Sequence, residues 1–236
     1  MKGLNILAVG AHPDDIEVLC AGTLAKYHKL ENKINIAIAT SGGAGHPTIE
    51  PKKITAIRKK EAIESANILD ANLYWLDIED QFLIDDRETR IIFINTIREC
   101  KPDIIFTCAP NDYHCDHRMV SELVFKTIIA AALPGVKTKQ KPINNIPALY
   151  YFDIVNGLNF LPDYFVDITD FIDIKRQMLL KHDSQMAAMR ELIKTDLIST
   201  MEINALYRGR QSNVKYAEAF KKADSYLMIS TQRLLP

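Results

Sequence analysis

The sequence has few of the features that mark secreted, membrane-bound or nucleic-acid-binding proteins. It has only four cysteines, none in Cys-x-x-Cys spacing, and no signal-peptide pattern, so we expect reduced thiols in a cytoplasmic protein. No apolar run reaches the roughly 20 residues that a membrane span needs. A formal net charge of −1 argues against a broad nucleic-acid-binding surface. The expected partner is therefore a small molecule, not a membrane or a nucleic acid.

What the sequence does have is a regular alternation of strand-like and helical segments. The predicted strands are residues 4–9, 34–40, 73–76, 103–109, 148–155 and 164–169. The predicted helices are residues 15–30, 52–69, 87–100, 117–132 and a segment from about 170 that carries "KRQMLLKHDSQ". Such alternation indicates right-handed crossovers and a parallel sheet covered on both faces. We therefore predict one α/β domain over residues 1–236, with a Rossmann-like, doubly wound and mostly parallel sheet.

Two polar clusters follow predicted strands. The first strand leads into "AHPDD" and the fourth into "PNDYHCDH", and these loops contain three of the six histidines, His12, His114 and His117. In open parallel sheets, ligands bind at the carboxyl ends of the strands, where the strand order reverses. Because the first and fourth strands are commonly neighbours in such sheets, we expect both clusters to line one crevice.

The spacing within these clusters indicates a metal site. His12 and Asp15 lie three residues apart at a helix start, so their side chains reach the same side of the first turn, and His117 is available as a third ligand. Two histidines, one carboxylate and an open position are typical of catalytic zinc, and also of an Fe(II) facial triad. Asp14 then remains as a candidate general base. A cation would also offset the repulsion between Asp14 and Asp15.

The quoted residues carry a resemblance to a known family. The segment "GAHPDDIEVLCAGTLA" resembles the signature of the PIG-L/LmbE-like deacetylases, which remove acetyl groups from N-acetylglucosamine-type conjugates. The segment "HCDHRMV" resembles their second motif, which is usually His-Pro-Asp-His. Three further matches, "RKKEAIESANILD", "FVDITDFIDIKRQMLLKHDSQ" and "VKYAEAF", extend the resemblance over about residues 4–220. The resemblance implies a zinc-dependent hydrolase that releases acetate from an N-acetylated sugar, and it also implies a possible homo-oligomer.

The resemblance also implies roles for single residues. Carried over by position, His12, Asp15 and His117 would bind Zn²⁺, and Asp14 would be the general base. We expect each ligand to be needed for both metal and activity, and Asp14 to be needed for turnover alone.

Three further residues receive roles in the same way. His114 would stabilise the oxyanion, and Asp116 would orient His114 and keep it charged. Arg58, in an Arg-x-x-Glu pattern, would face the substrate. The alternative for Arg58 is an intrahelical pair with Glu61.

Some positions depart from the family pattern or do not align with it. Cys115 stands where the family usually has proline, and Gln81 where glycine is common. Residues 134–147 align with nothing, and we expect this loop to influence substrate choice. His182 and Glu218 match family patterns, with pairing on a helix surface as the alternative.

Other functions remain open at this point. The chain could be a deacetylase or amidohydrolase of a non-sugar N-acyl metabolite, a non-catalytic metal-binding module or an Fe(II) oxygenase. A structural metal site from Cys108, His114, Cys115 and His117 would leave the first cluster unexplained. A dinucleotide site is disfavoured because "GGAG" is not the Gly-x-Gly-x-x-Gly pattern.

Overall fold

The core of the protein is a seven-stranded sheet, seen in a computed structural model that describes residues 3–225 and 235–236. Its strands are Asn5–Gly10 (β1), Lys33–Thr40 (β2), Asn72–Ile78 (β3), Ile104–Thr107 (β4), Ala148–Phe152 (β5), Tyr164–Asp167 (β6) and Ala217–Lys222 (β7). The strand order is β3-β2-β1-β4-β5-β7-β6. The first five strands in this order pair in parallel, and β7 pairs antiparallel with both β5 and β6. The predicted fold class, a mostly parallel doubly wound sheet, is confirmed.

Eight α-helices surround the sheet in the described part of the chain. They are Asp15–Leu19 (α1), Ala21–Lys29 (α2), Pro51–Asn67 (α3), Arg87–Cys100 (α4), Cys115–Ala132 (α5), Ile172–Leu179 (α6), Asp183–Ile193 (α7) and Leu197–Ser212 (α8). Helix α4 packs against α5, while α2 and α3 pack against α6. Right-handed crossovers that run in opposite directions along a sheet place their helices on opposite faces. This explains why β1 and β4, between two helix layers, are continuous apolar runs with almost no exposed residue.

Two helices predicted as continuous are broken. Residues 15–30 form α1 and α2 because Cys20 leaves helical geometry, with φ −139°. The freed amides of Gly22 and Thr23 donate to the Glu218 carboxylate, at 2.9 and 2.7 Å. The helix from about residue 170 likewise ends at Leu179 and resumes as α7. The first break involves a tertiary contact with Glu218 that local periodicity does not report.

Other predicted boundaries differ from those in the structure, and two elements were not predicted. The strand predicted over 148–155 ends at Phe152, and the helix predicted from residue 117 begins at Cys115. Helix α8 and strand β7 were not predicted from the sequence. Helix α8 leaves apolar side chains such as Ile203 exposed, so its pattern lacks a clean apolar face. Strand β7 reads "AEAFKK", which has no β-branched residue.

The loop over 134–147 leads into the amino-terminal end of β5. It therefore lies on the side of the sheet opposite to the carboxyl ends of the strands, where the polar clusters are. It follows the C-terminal end of α5, and the buried Arg98 guanidinium donates to the carbonyl oxygens of Ala131, Leu133 and Val136 at 2.8–2.9 Å.

Among the described residues, no helix is long and apolar enough to cross a membrane.

Candidate functional site

The two polar loops meet in one cavity. Strands β1 and β4 are adjacent and parallel, with Val9 beside Thr107, so the loops that follow them leave the sheet side by side. The cavity has a volume of about 500 Å³, and its floor includes His12, Asp14 and His117. The fold therefore brings together the side chains that the sequence placed more than a hundred residues apart.

Three donor groups in this floor are arranged as metal ligands would be. The Nδ1 atom of His12 lies 3.3 Å from Nε2 of His117. The Asp15 carboxylate has one oxygen 3.2 Å from His117 Nε2 and the other 3.7 Å from His12 Nδ1. Ligands held at 2.0–2.1 Å around a tetrahedral Zn²⁺ are about 3.3 Å apart. The donor set and its spacing fit a divalent cation.

Both histidines of this triangle are supported on their other ring nitrogen. His12 Nε2 lies 3.2 Å from Asp80 and 3.1 Å from Asp116, and His117 Nδ1 lies 3.0 Å from Asp112. Metal-binding histidines typically have such a carboxylate partner, which fixes the ring orientation. Sequence reasoning gave no role to Asp80 or Asp112. Their position in the loops that follow β3 and β4 was the available signal.

The same carboxylates govern the protonation of the two histidines. Burial lowers the pKa of His117, but Asp15 and Asp112 outweigh it and raise that pKa to about 10. The pKa of His12 is also raised, because Asp116, Asp15 and Asp80 outweigh the effect of burial. A ligating histidine must be neutral. Metal binding near neutral pH would therefore release protons from these rings.

Asp14 is held in a strained conformation beside this triangle. Its φ is 129°, a region that a residue with a side chain rarely occupies. The Asp15 carboxylate restrains the turn by accepting from the amides of Ala11 and His12, at 2.9 and 2.8 Å. Burial raises the pKa of Asp14 to about 6, with a further rise from Asp15 and an opposing effect of Arg58. A carboxylate with this pKa is suited to accept a proton near neutral pH.

Arg58 lines the cavity but is engaged mainly with backbone. Its guanidinium donates to the carbonyl oxygens of Pro13 and Gly42, both at 2.9 Å, and lies 3.7 Å from Asp14. Gly42 has φ +63°, and a Cβ there would come within 2.5 Å of the guanidinium. Glu61, the alternative partner of Arg58, instead accepts from Ser184. Arg58 thus supports the Pro13–Asp14 turn from inside the cavity wall.

His114 and Asp116 lie at the site, but their side chains do not pair as expected. The Asp116 carboxylate contacts His12 and accepts from the Gln81 amide at 3.0 Å. His114 Nδ1 accepts from the Asp116 backbone amide at 3.2 Å, which caps α5. Burial and the charges of His12 and His117 lower the pKa of His114. The expected charged His114 held by the Asp116 carboxylate is therefore not the arrangement seen.

Several overlapping groups in this region have donor atoms close enough to share an ion. They are His12 with His114 and His117, Asp15 with Cys108 and His117, His114 with Cys115 and Asp116, and His12 with Asp80 and Asp116. All four cysteines are free, and only Cys115 is exposed. Cys108 and Cys115 fall in different groups, which disfavours the four-residue structural site considered from sequence.

The wall facing the triangle of His12, Asp15 and His117 comes from the C-terminal part of the chain. Residues on α7 and α8 and near the 3₁₀ turn at Val155–Gly157 line the cavity. Among the described lining residues, none comes from 134–147, so the expectation that this loop shapes the substrate site is wrong. The loop follows the C-terminal end of α5, whereas the cavity lies at its N-terminal end.

The residues that match the later family segments are also buried inside the fold. His182 is 1% exposed and lies 3.2 Å from Glu17. Glu218 is 4% exposed and pairs with the buried Lys175. Pairing on a helix surface, the alternative for both, is therefore wrong.

Known proteins with similar sequences and structures include deacetylases and a hydratase. Diacetylchitobiose deacetylase from Thermococcus kodakarensis is 26% identical over 92% of this chain and 82% of its own length. The 4-oxalmesaconate hydratase from Pseudomonas putida is 26% identical over 72% of this chain and 70% of its own. The structure of N,N'-diacetylchitobiose deacetylase from Pyrococcus horikoshii aligns with a TM-score of 0.80 and 26% identity, over 92% of this chain and 82% of that one.

The family described as PIG-L, GlcNAc-PI de-N-acetylase, matches residues 7–128. This segment covers just over half of the chain and includes both polar loops, most of β1, all of β4, and Arg58. The resemblance noted from sequence is confirmed: the chain belongs to the PIG-L family.

Proposed function

We propose that this protein is a metal-dependent deacetylase of N-acetylglucosamine-type sugars. The observation that carries the proposal is the triangle of His12, Asp15 and His117 donor atoms, 3.2–3.7 Å apart, in the floor of the cavity beside Asp14. Two histidines and a carboxylate with an open position suit Zn²⁺ used for hydrolysis, and an Fe(II) site would use the same donors. The deacetylase relatives support the reaction type.

The residues of the site divide the chemistry between them. When bound, a divalent cation supplies Lewis acidity and lowers the pKa of a coordinated water to about 7. Asp14 accepts the proton of the attacking water, because it lines the same cavity as the ligand triangle and its pKa of about 6 lies close to neutral. Arg58 holds the Pro13 carbonyl and so fixes the position of Asp14.

His114 is placed to stabilise the oxyanion as a neutral donor. Since Nδ1 accepts from the Asp116 amide, the neutral ring carries its proton on Nε2. This nitrogen lies 3.3 Å from the Gln81 side-chain amide and would donate to an oxyanion in its place. This replaces the charged His114 expected from sequence, and it leaves the Asp116 carboxylate to orient His12. A preorganised donor of this kind typically contributes about 10²–10³-fold to the rate.

The hydratase relative points to a second candidate reaction, the addition of water to an unsaturated carboxylate. The cavity favours the amide substrate. Among the described residues that line it, Arg58 is the only lysine or arginine, and its guanidinium already donates to two carbonyl groups. A neutral acetamido group therefore suits the cavity better than a polycarboxylate.

The test is product formation by metal-loaded protein, with and without a chelator. Acetate release is measured from N-acetylglucosamine, diacetylchitobiose and non-sugar N-acetyl amines, and hydration is followed by the loss of absorbance of an unsaturated dicarboxylate. We expect chelator-sensitive acetate release from the sugars. Faster release from the non-sugar amines would change the substrate class, and hydration without acetate release would overturn the proposal. If the protein binds metal but shows neither activity, it is a non-catalytic metal-binding module.

A further inference from the structure

One face of α7 forms a stripe along the cavity. Gln185, Met189 and Ile193 are four residues apart, so their side chains project from the same side of the helix, and all three line the cavity. Their neighbour Leu192 is not a lining residue. The stripe changes from polar to apolar along the helix.

The polar end of the stripe is the end near the proposed reaction site. A Cβ at Gly45 would lie 3.6 Å from the Gln185 side-chain oxygen and 3.0 Å from the Arg58 guanidinium. A rise of 1.5 Å per residue places Met189 about 6 Å and Ile193 about 12 Å farther along the helix axis. The apolar side chains therefore extend away from Arg58.

Apolar side chains are also unusually exposed around this outer part of the cavity. Ile193 is 58% exposed and Tyr113 is 70% exposed. The Tyr113 ring lies edge-on to His114, with 6.1 Å between ring centroids, so it stands beside the proposed oxyanion donor. Exposed apolar groups that line a cavity together commonly mark a ligand site.

We propose that Tyr113, Met189 and Ile193 form an outer subsite that binds an apolar substituent of the N-acyl sugar. The inference rests on the proposed function, in which the acetamido group lies at the ligand triangle. Among the described lining residues, the outer part contributes no lysine or arginine, which disfavours a phosphate or carboxylate there. The substituent is either an aglycone on the sugar or a longer N-acyl chain.

Three substrates separate these two sources. They are methyl N-acetyl-β-glucosaminide, its hexyl analogue and methyl N-hexanoyl-β-glucosaminide. We expect kcat/KM to be at least about tenfold higher for one of the two hexyl-bearing compounds than for the methyl reference, as several methylene groups enter an apolar pocket. A higher kcat/KM for the hexyl N-acetyl-β-glucosaminide identifies an aglycone subsite. A higher kcat/KM for the methyl N-hexanoyl-β-glucosaminide identifies an acyl subsite. Equal values for all three would overturn the subsite.

A pair of adjacent variants locates the effect. Ile193→Asn should reduce the ratio of hexyl to methyl kcat/KM by about fivefold or more. Leu192→Asn is the matched control, since Leu192 is 54% exposed on the same helix but lies outside the cavity, and it should leave the ratio at the wild-type value. An equal loss in both variants would contradict the assignment to Ile193.

The affinity of the metal-loaded protein for hexyl β-glucoside tests the subsite independently of hydrolysis. This compound has no amide, so calorimetry reports the apolar contact alone. We expect hexyl β-glucoside to bind more tightly than methyl β-glucoside, and Ile193→Asn to remove the difference. If the difference is present while no amide is hydrolysed, the proposed function fails and the subsite stands. If amides are hydrolysed, and neither this difference nor a gain in kcat/KM for the N-hexanoyl compound is found, the subsite fails alone.

Discussion

The two halves of the chain contribute different things to one cavity. The part from β1 to α5 has only parallel strands and supplies the candidate ligands and Asp14 from loops at adjacent strand ends. The part from β5 to β7 ends in antiparallel strands and supplies the facing wall through α7 and α8. The candidate reactive groups are thus concentrated in the first half, and the second half provides the wall that faces them.

The family match follows the same division. It covers residues 7–128, which end inside α5, and leaves out α7 and α8. A deacetylase and a hydratase are both similar to this chain at 26% identity. One fold can support different substrates when the reactive residues at the strand ends are shared and the residues of the facing wall differ.

The largest effect should come from removing a candidate metal ligand in the first half. His117→Ala deletes one corner of the triangle, so we expect metal content to fall from about one per chain towards zero. Activity should fall by on the order of 10³-fold or more, because the Lewis acid is lost. Metal analysis and kcat/KM on the same preparation measure both.

His114→Ala is the matched control from the same "HCDH" motif. This variant should keep its metal while kcat falls by about 10²–10³-fold. Metal loss in His114→Ala together with full occupancy in His117→Ala would mean that the two histidines exchange roles. The group of His12, His114 and His117 donor atoms makes this a real alternative.

A smaller but still large effect should follow from Asp14→Asn, which keeps the shape and cannot accept a proton. We expect near-normal metal content and a loss of about 10²–10⁴-fold in kcat. In the native protein the carboxylate must be ionised to act, so activity should decline as the pH falls through about 6. A bound cation would lower the pKa of Asp14 and so shift this decline in activity to lower pH. The pH–rate profile of the variant should lack the acid limb, and wild-type turnover would contradict the role.

The contrast between the halves also explains what could be predicted from sequence. His12, Asp14 and Asp15 lie within four residues, so their geometry follows from one turn and was readable directly. Pairing of β1 with β4 follows from the general topology of doubly wound sheets. In contrast, the break at Cys20 depends on Glu218, nearly two hundred residues away. The placement of loop 134–147 depends on Arg98, and no local pattern reveals either contact.

A test of how the halves are joined comes from the buried Lys175–Glu218 pair. Glu218 on β7 caps the start of α2, and both side chains are almost fully buried. Glu218→Gln leaves the Lys175 charge without its partner, so the free energy of unfolding should fall by about 3–5 kcal/mol. Denaturant unfolding measures this. The exposed Lys126–Glu122 pair provides the control, since Lys126→Met should change stability little. Equal effects would show that burial is not the cause.

The smallest effect should come from the support of a ligand rather than from the ligand itself. Asp112 Oδ2 lies 3.0 Å from His117 Nδ1, and its Oδ1 accepts from the His114 amide at 2.9 Å. Asp112→Asn retains an acceptor for that amide but removes the negative charge beside His117. Loss of such a partner typically weakens metal affinity by about 10–100-fold, whereas activity at saturating metal should change less. Competition with a chelator measures the affinity, and Asp163→Asn, at an exposed carboxylate near Lys221, is the control. Unchanged affinity in Asp112→Asn would show that His117 is oriented by the α5 helix alone.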